Sequence, residues 1–215
     1  NPEPIFDPGF PFVYDRNVLV NTQTLFGESR VGLTEKLKVV AGLRGERFKV
    51  DRDQVTTGFA TKTYYPTTGR VGLVYMVNPL ISLYASTSHA VEPVTPLVSI
   101  NATNMVFSLQ PTQQVETGTK ATVFNGRLET TFAWFDIRKE NILTSNIVDG
   151  VRLQQQIGEQ MSQGVEWSMT ATPHPSFIVM ADVTALAAEY VEFNENLGTG
   201  IVSRAGNEVP HVPSV

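Results

Sequence analysis

Three histidines, no cysteine and a scatter of carboxylates are the residues of this 215-residue chain that could carry chemistry. His89, His174 and His211 lie too far apart for a local His-x-x-x-His pair, and a metal site needs several converging donors. They are expected to be structural or solvated. Asp51-Arg52-Asp53 begins like a calcium loop, but Val55 follows and no glycine stands at the sixth position. Gly198-Thr199-Gly200 lacks the third glycine and the strand-to-helix setting of a nucleotide site, and there is no Gly-x-Ser-x-Gly elbow. Glu129, Glu166 and Asp182 fall on the polar faces of extended runs. A wall of mixed charge, shared with Lys38, Arg44, Arg70 and Lys120, accounts for them better than a paired-carboxylate site. No catalytic residue, cofactor or metal site is expected. What is left is Tyr64, Tyr65 and Phe107, aromatic residues in long loops where an arriving ligand would first be met. These are the candidate ligand contacts.

Composition narrows the class. A chain that is 41% hydrophobic and only 17% charged has little charge for a soluble surface. The net charge of -5, with no cluster of Lys and Arg, argues against a nucleic-acid partner. No run approaches the eighteen or so apolar residues of a membrane-spanning helix, but a barrel remains open because its strands alternate and leave a weak hydropathy signal. Asn1-Pro2-Glu3-Pro4 has neither a basic start nor an apolar stretch, so the chain is expected either to have lost a signal peptide or to begin internally.

The elements that hold these residues are read from alternation. Gln114 to Asn141 forms a hairpin about Asn125-Gly126, a pair suited to a turn with two positive φ angles. On its return arm Leu128, Thr130, Phe132 and Trp134 share one face, and Glu129, Thr131 and Ala133 the other. Each arm is about twice the usual soluble strand. Similar strands are predicted over Asn17–Leu33, Leu37–Asp51, Gly69–Val77, Ile81–Glu92, Val151–Thr172 with a bulge near Gly158, and Phe177–Phe193, with an unfinished one from Val209. Proline-rich residues 1 to 16, Asp51–Thr68, the stretch bracketed by Pro93, Pro96 and Pro111, Asn141–Gly150 with a turn at Asp149-Gly150, and Asn194–Asn207 read as connections. Short turns near residues 35, 79, 125 and 174 alternate with these longer loops. That is the architecture of an antiparallel outer-membrane barrel wall, because strands in lipid must pair with neighbours and present apolar side chains outward. Trp134, Phe135, Trp167 and Phe177 are expected in an interfacial girdle. Leu37, Val39, Leu43, Val71, Leu73, Ile81, Leu83, Phe132, Trp134, Val165 and Trp167 are expected on the convex face. Arg44, Glu46, Ser86, Glu116, Lys120, Glu129 and Glu166 are expected on the concave one.

Phe135-Asp136-Ile137-Arg138-Lys139-Glu140-Asn141-Ile142-Leu143 followed by Gly158-Glu159-Gln160-Met161-Ser162-Gln163-Gly164-Val165-Glu166 resembles the barrel of TonB-dependent siderophore receptors. Supporting stretches come in family order: Ser82-Leu83-Tyr84-Ala85-Ser86, Glu116-Thr117-Gly118-Thr119-Lys120, Asn125-Gly126-Arg127-Leu128, and Gly206 to Pro213. The chain departs from the family at Met161, Gln163 and Glu208, where basic residues are frequent. The resemblance implies an all-β fold in which residues 1–215 are an open-edged part of a twenty-two-stranded barrel, about eight meander strands and the start of a ninth. The plug, the TonB-engaging segment and the terminal strands are expected to lie outside it. It further implies a place in the outer membrane of a Gram-negative bacterium, lipid around the barrel, a ferric siderophore as ligand and the TonB complex as energy source. Haem, cobalamin or a glycan would fit the same architecture.

Two other readings make different predictions. A small self-contained barrel with an adhesive or structural role would close by pairing its first strand with its last. A soluble β-rich binding protein would have shorter strands and less continuous apolar faces.

Overall fold

The computed structural model describes residues 16–54, 58–93, 104–148, 151–196, 198 and 200–212. Residues 1 to 15 of the expected N-terminal loop, Val55, Pro96, the Asp149-Gly150 turn and residues 213 to 215 lie outside them.

The long strands are β1 (Arg16–Gly32), β2 (Leu37–Gln54), β3 (Gly58–Tyr64), β4 (Thr67–Asn78), β5 (Ile81–Glu92), β6 (Gln110–Val123), β7 (Leu128–Val148), β8 (Val151–His174) and β9 (Phe177–Glu192). β10 (Asn194–Asn196) and β11 (Ile201–Ser203) are short. β3 and β4 behave as one strand. Both pair antiparallel with β2, and the registers Phe48↔Tyr64 and Gly45↔Thr67 run on through Pro66. Proline has no N–H to continue the ladder, but its carbonyl still accepts from the Glu46 N–H at 3.0 Å. The count is therefore eight long strands, each paired with its sequence neighbour.

Among the described residues no ladder joins β1 to β9, so the sheet is open and the small closed barrel is not the architecture. The far edge of β9 has begun to be covered. Glu208 bridges Glu189, and the Val209 N–H donates to Ala188 O at 3.1 Å. The bridge falls one residue before Val209, where a ninth strand is expected to begin, and the chain then turns at Pro210 and His211 instead of running on as strand.

The short turns follow from their residues. Asn125 and Gly126 take φ of 56° and 82°, two positive values that this residue pair accommodates. Asn78 Oδ1 accepts from the N–H groups of Leu80 and Ile81 at 2.8 and 3.0 Å, and Thr34 Oγ1 from those of Lys36 and Leu37 at 3.2 and 2.9 Å. Short polar side chains thus replace backbone partners where the strands reverse.

Register sorts the side chains. Val31, Val39, Leu73, Ala85, Thr117, Trp134, Val165 and Ala185 stand opposite one another in one row across the sheet. The neighbouring row, on the opposite face, is Arg30, Val40, Gly72, Ser86, Glu116, Phe135, Gly164 and Leu186. Large apolar side chains on the Trp134 face are open: Leu43 is 65% exposed and Phe132 49%. On the Glu116 face Phe135 is only 6% exposed and Ala133 3%. All the residues expected on each face fall on it by this register.

Four expectations are corrected. Phe135 is no girdle residue: it belongs to the Glu116 face and is buried there, because alternation separates it from Trp134. Asp51–Thr68 is not simply a connection; it holds the end of β2, all of β3 and the start of β4. Its Thr-rich run suits strand as well as loop. Strand β7 likewise runs to Val148, through an irregularity where Asn141 takes φ 57° and Ile142 faces Gly158. The bulge expected near Gly158 is this one. Asn194–Asn207 contains β10 and β11.

Candidate functional site

The Trp134 face changes character along each strand. In β2 it carries Leu37, Val39, Ala41 and Leu43, then Arg47, Lys49, Asp51 and Asp53; in β7 it carries Phe132 and Trp134, then Asp136 and Arg138. Following the paired residues from Asp136 through Val115, Thr87 and Val71 leads to Ala41, not to Arg47. The apolar band therefore crosses the pairing rows obliquely, as strands tilted in a barrel wall require. Beyond the band two ion pairs form on this face: Lys49 Nζ lies 2.7 Å from Asp51 Oδ2, and Arg138 Nε 3.3 Å from Asp136 Oδ1.

Within the band the Glu116 face is polar. Glu28 pairs with Arg70; Glu46 accepts from Arg44 Nη2 at 2.5 Å and from Thr24 Oγ1 at 3.0 Å. The arginines are more than half exposed, so each pair contributes about 0–1 kcal/mol. Tyr84 Oη donates to Glu116 Oε1 at 2.6 Å, Gln114 Nε2 donates to Glu116 Oε2 at 3.0 Å, and Lys120 Nζ sits 5.2 Å from the Tyr84 ring centre. Gly118 makes this possible. A Cβ there would fall 2.4 Å from Phe132 O and 2.8 Å from Tyr84 Cε1. A cavity of about 550 Å³, bounded by Arg70, Tyr84, Ser86, Glu116 and Lys120, opens beside it. A second, of about 360 Å³, lies between Glu116, Phe135, Glu166, Leu186 and His211.

Beyond the band, at the long-loop end, the strand lengths leave a notch. β5 and β6 end at the Glu92↔Gln110 pair, while β2 and β3 on one side and β7 and β8 on the other continue. The chain from Met105 to Ser108 fills this gap. Lys62 Nζ donates to Phe107 O at 2.6 Å and Tyr64 Oη donates to the same oxygen at 3.3 Å. From the other flank Gln156 accepts from the Ser108 N–H at 2.8 Å and donates to Ser108 O at 3.0 Å. Gln110 Nε2 donates to Asn141 O at 3.0 Å. Beneath, Met105 packs with Val50, Val18, Val20, Phe48 and Ala60. Burial holds the Lys62 ammonium below the usual lysine value and pushes the Tyr64 phenol above the usual tyrosine value.

The candidate contacts thus separate. Tyr64 and Phe107 come together, but through a carbonyl oxygen that anchors the loop. Tyr65 is 73% exposed and stands beside Pro66, where β3 gives way to β4. The three histidines stay apart: His89 in β5, His174 at the end of β8, His211 beside the second cavity. Among the described residues no three His, Asp or Glu side chains are grouped to hold a metal ion.

The sequence model of the family described as TonB dependent receptor-like, beta-barrel, matches residues 1–215. The chain belongs to that family. These receptors are outer-membrane proteins of Gram-negative bacteria. The metal-pseudopaline receptor CntO of Pseudomonas aeruginosa is 25% identical over 203 residues, 91% of this chain and 28% of its own length. A probable TonB-dependent receptor, BfrD, of Bordetella pertussis is also 25% identical, over 88% of this chain and 26% of its own length. Among solved structures, the siderophore receptor PiuA of Acinetobacter baumannii matches 93% of this chain with a TM-score of 0.78 at 21% identity, over 30% of its chain. The ferric-catecholate import receptor Fiu of Escherichia coli K12 matches 81% with 0.71 at 19% identity, over 29% of its chain. The chain thus spans less than a third of each of these four proteins. In a TonB-dependent receptor barrel the Trp134 face is the lipid face and the Glu116 face lines the lumen.

Sequence reasoning missed the loop anchors Lys62, Gln110 and Gln156, because nothing local marks a long polar side chain as a clamp. The Tyr84–Glu116 pair had a usable signal. Gly118, an interior strand glycine, marks a place where another group comes close to the backbone, and Tyr84 is its register partner.

Proposed function

We propose that this chain is wall and loop of an outer-membrane receptor that imports a ferric siderophore, with energy delivered through TonB. The observation that carries the reading is the two-sided wall: an oblique apolar band on one face and an ion-paired, cavity-bearing surface on the other, in a chain whose relatives include siderophore receptors. An apolar outer band needs lipid, and a polar inner wall needs a wet or plugged lumen. The plug and the TonB-engaging segment are proposed to lie outside these 215 residues. The CntO relative is named for a metal-pseudopaline complex, so the ligand class proposed is a metal chelate, with ferric siderophores first.

The test is uptake by the full-length receptor. Cells carrying it as their only such receptor are expected to accumulate radiolabelled iron from one of a panel of siderophores, and to stop when TonB is removed. Accumulation that continues without TonB, or growth that depends on a ligand without metal, would sink the proposal.

A further inference from the structure

Among the described residues three polar side chains are buried: Gln110, Thr144 and Arg52. Gln110 donates to Asn141 O at 3.0 Å and Thr144 to Gln155 O at 3.5 Å. Arg52 differs. It is 2% exposed, and its Nε and Nη1 have no hydrogen-bond partner.

Arg52 stands in β2 opposite Val18 of β1 and Ala60 of β3, on the lumen side. Its strand neighbour on that face is Val50, which is fully buried and packs against Met105. Lys62 faces Val50 across the β2–β3 ladder. It is therefore Arg52's diagonal neighbour, within the roughly 7–8 Å that long side chains span. The alternation that puts Arg52 inside sends Asp51 and Asp53 to the other face, where Asp51 is held by Lys49 at 2.7 Å and Thr61 at 2.6 Å. The lumen-side acids of β1 and β2, Glu28 and Glu46, are already engaged by Arg70 and Arg44. Two cations thus stand as diagonal neighbours on one face, Arg52 buried and Lys62 half-buried, and among the described residues neither has an acidic partner. Lysine can answer burial by releasing its proton; arginine cannot. A buried guanidinium without an anion is strongly unfavourable.

We propose that Arg52 and Lys62 form an oxyanion-binding pair that receives a negatively charged group of the imported ligand, an inference that rests on the receptor reading above. The pair lies at the long-loop end of the wall, beyond the apolar band, where a ligand from outside arrives. Lys62 now holds a neutral carbonyl, that of Phe107. An anion is the stronger acceptor, so binding exchanges that bond for a charge-assisted one and shifts Met105 to Ser108 away from the pair.

The test uses the full-length receptor in detergent, with folding of each variant checked by heat-modifiable gel mobility. Inorganic pyrophosphate is the first probe. Wild type is expected to bind it, and Arg52→Gln to weaken binding about tenfold or more, the usual effect of losing a charged hydrogen bond. Lys62→Gln should weaken it severalfold, and it replaces Arg52→Gln as the deciding variant if that one does not fold. The second probe is a pair of ferric chelates, a trianionic tris-catecholate and an uncharged tris-hydroxamate. Arg52→Gln is expected to weaken only the charged one. Equal pyrophosphate binding by wild type and the deciding variant, or none by wild type, overturns the pair. If neither chelate binds wild type while pyrophosphate still discriminates, the siderophore reading fails and the anion pair stands.

Discussion

The same sheet has opposite polarity at its two ends. In the band from Leu37 to Leu43 and Phe132 to Trp134, apolar side chains face outward and ion pairs face inward. Beyond Arg47 the outward face carries Lys49, Asp51 and Thr61, bound to one another, and the inward face carries Val18, Val20, Phe48 and Val50 packed under Met105. The strand does not change its alternation between the two; β1, β2 and β3 keep one register throughout. What changes is the solvent. Lipid surrounds the band, so apolar groups gain nothing by turning inward there. Above it, water surrounds the wall, and the ordinary drive to bury apolar surface builds a small core against the loop.

The largest expected effect separates the two ends directly. Leu73→Arg places a cation in the lipid band and is expected to cost about 2–4 kcal/mol in lipid-vesicle unfolding. Thr61→Arg, outward but above the band, is expected to change stability by less than about 0.5 kcal/mol. Equal costs would mean that the band boundary is misplaced.

Next in size is Gly118→Val. The new side chain meets Phe132 O and the Tyr84 ring, so a loss of about 1–3 kcal/mol is expected. Tyr84→Ala in the same chain should recover part of it, and a double-mutant cycle in urea measures the coupling. No coupling would show that the ring does not lie over the glycine.

A comparable effect is expected above the band. Val50→Ala removes methyl groups from a fully buried position and should cost about 1–3 kcal/mol. Val39→Ala, on the outward face in lipid, should cost distinctly less by the same unfolding assay.

The smallest effect concerns pH. Burial lowers the Lys62 pKa below its unfolded value. Between the two, the unfolded chain binds more protons, so stability rises with pH in that alkaline window. Lys62→Gln should remove this rise, read as unfolding midpoints across the window. The Tyr64 phenol is shifted upward, so its contribution falls as pH climbs above the usual tyrosine value, and Tyr64→Phe isolates the effect of the lysine.

Much of this was open to the sequence. Alternation of Leu128, Thr130, Phe132 and Trp134 against Glu129, Thr131 and Ala133 determined both faces of the hairpin. Asn125-Gly126 determined its turn, since few other pairs accept two positive φ angles. The family stretches from Phe135 to Glu166 determined the kind of barrel. These are local properties, fixed by sterics and by a period of two. The upper end was not legible in the same way. A polar strand such as Thr61 to Thr63 reads as loop until it is known which solvent lies outside it. The grip on the loop around Phe107 is not local either: Lys62 stands 45 residues before Phe107, and Gln156 stands 48 residues after Ser108. Arg52 looked like part of a failed calcium loop. Only the tertiary structure, which packs Met105 on the lumen face of β1, β2 and β3 and leaves the outer face open, decided that its charge is buried and its two aspartates are not.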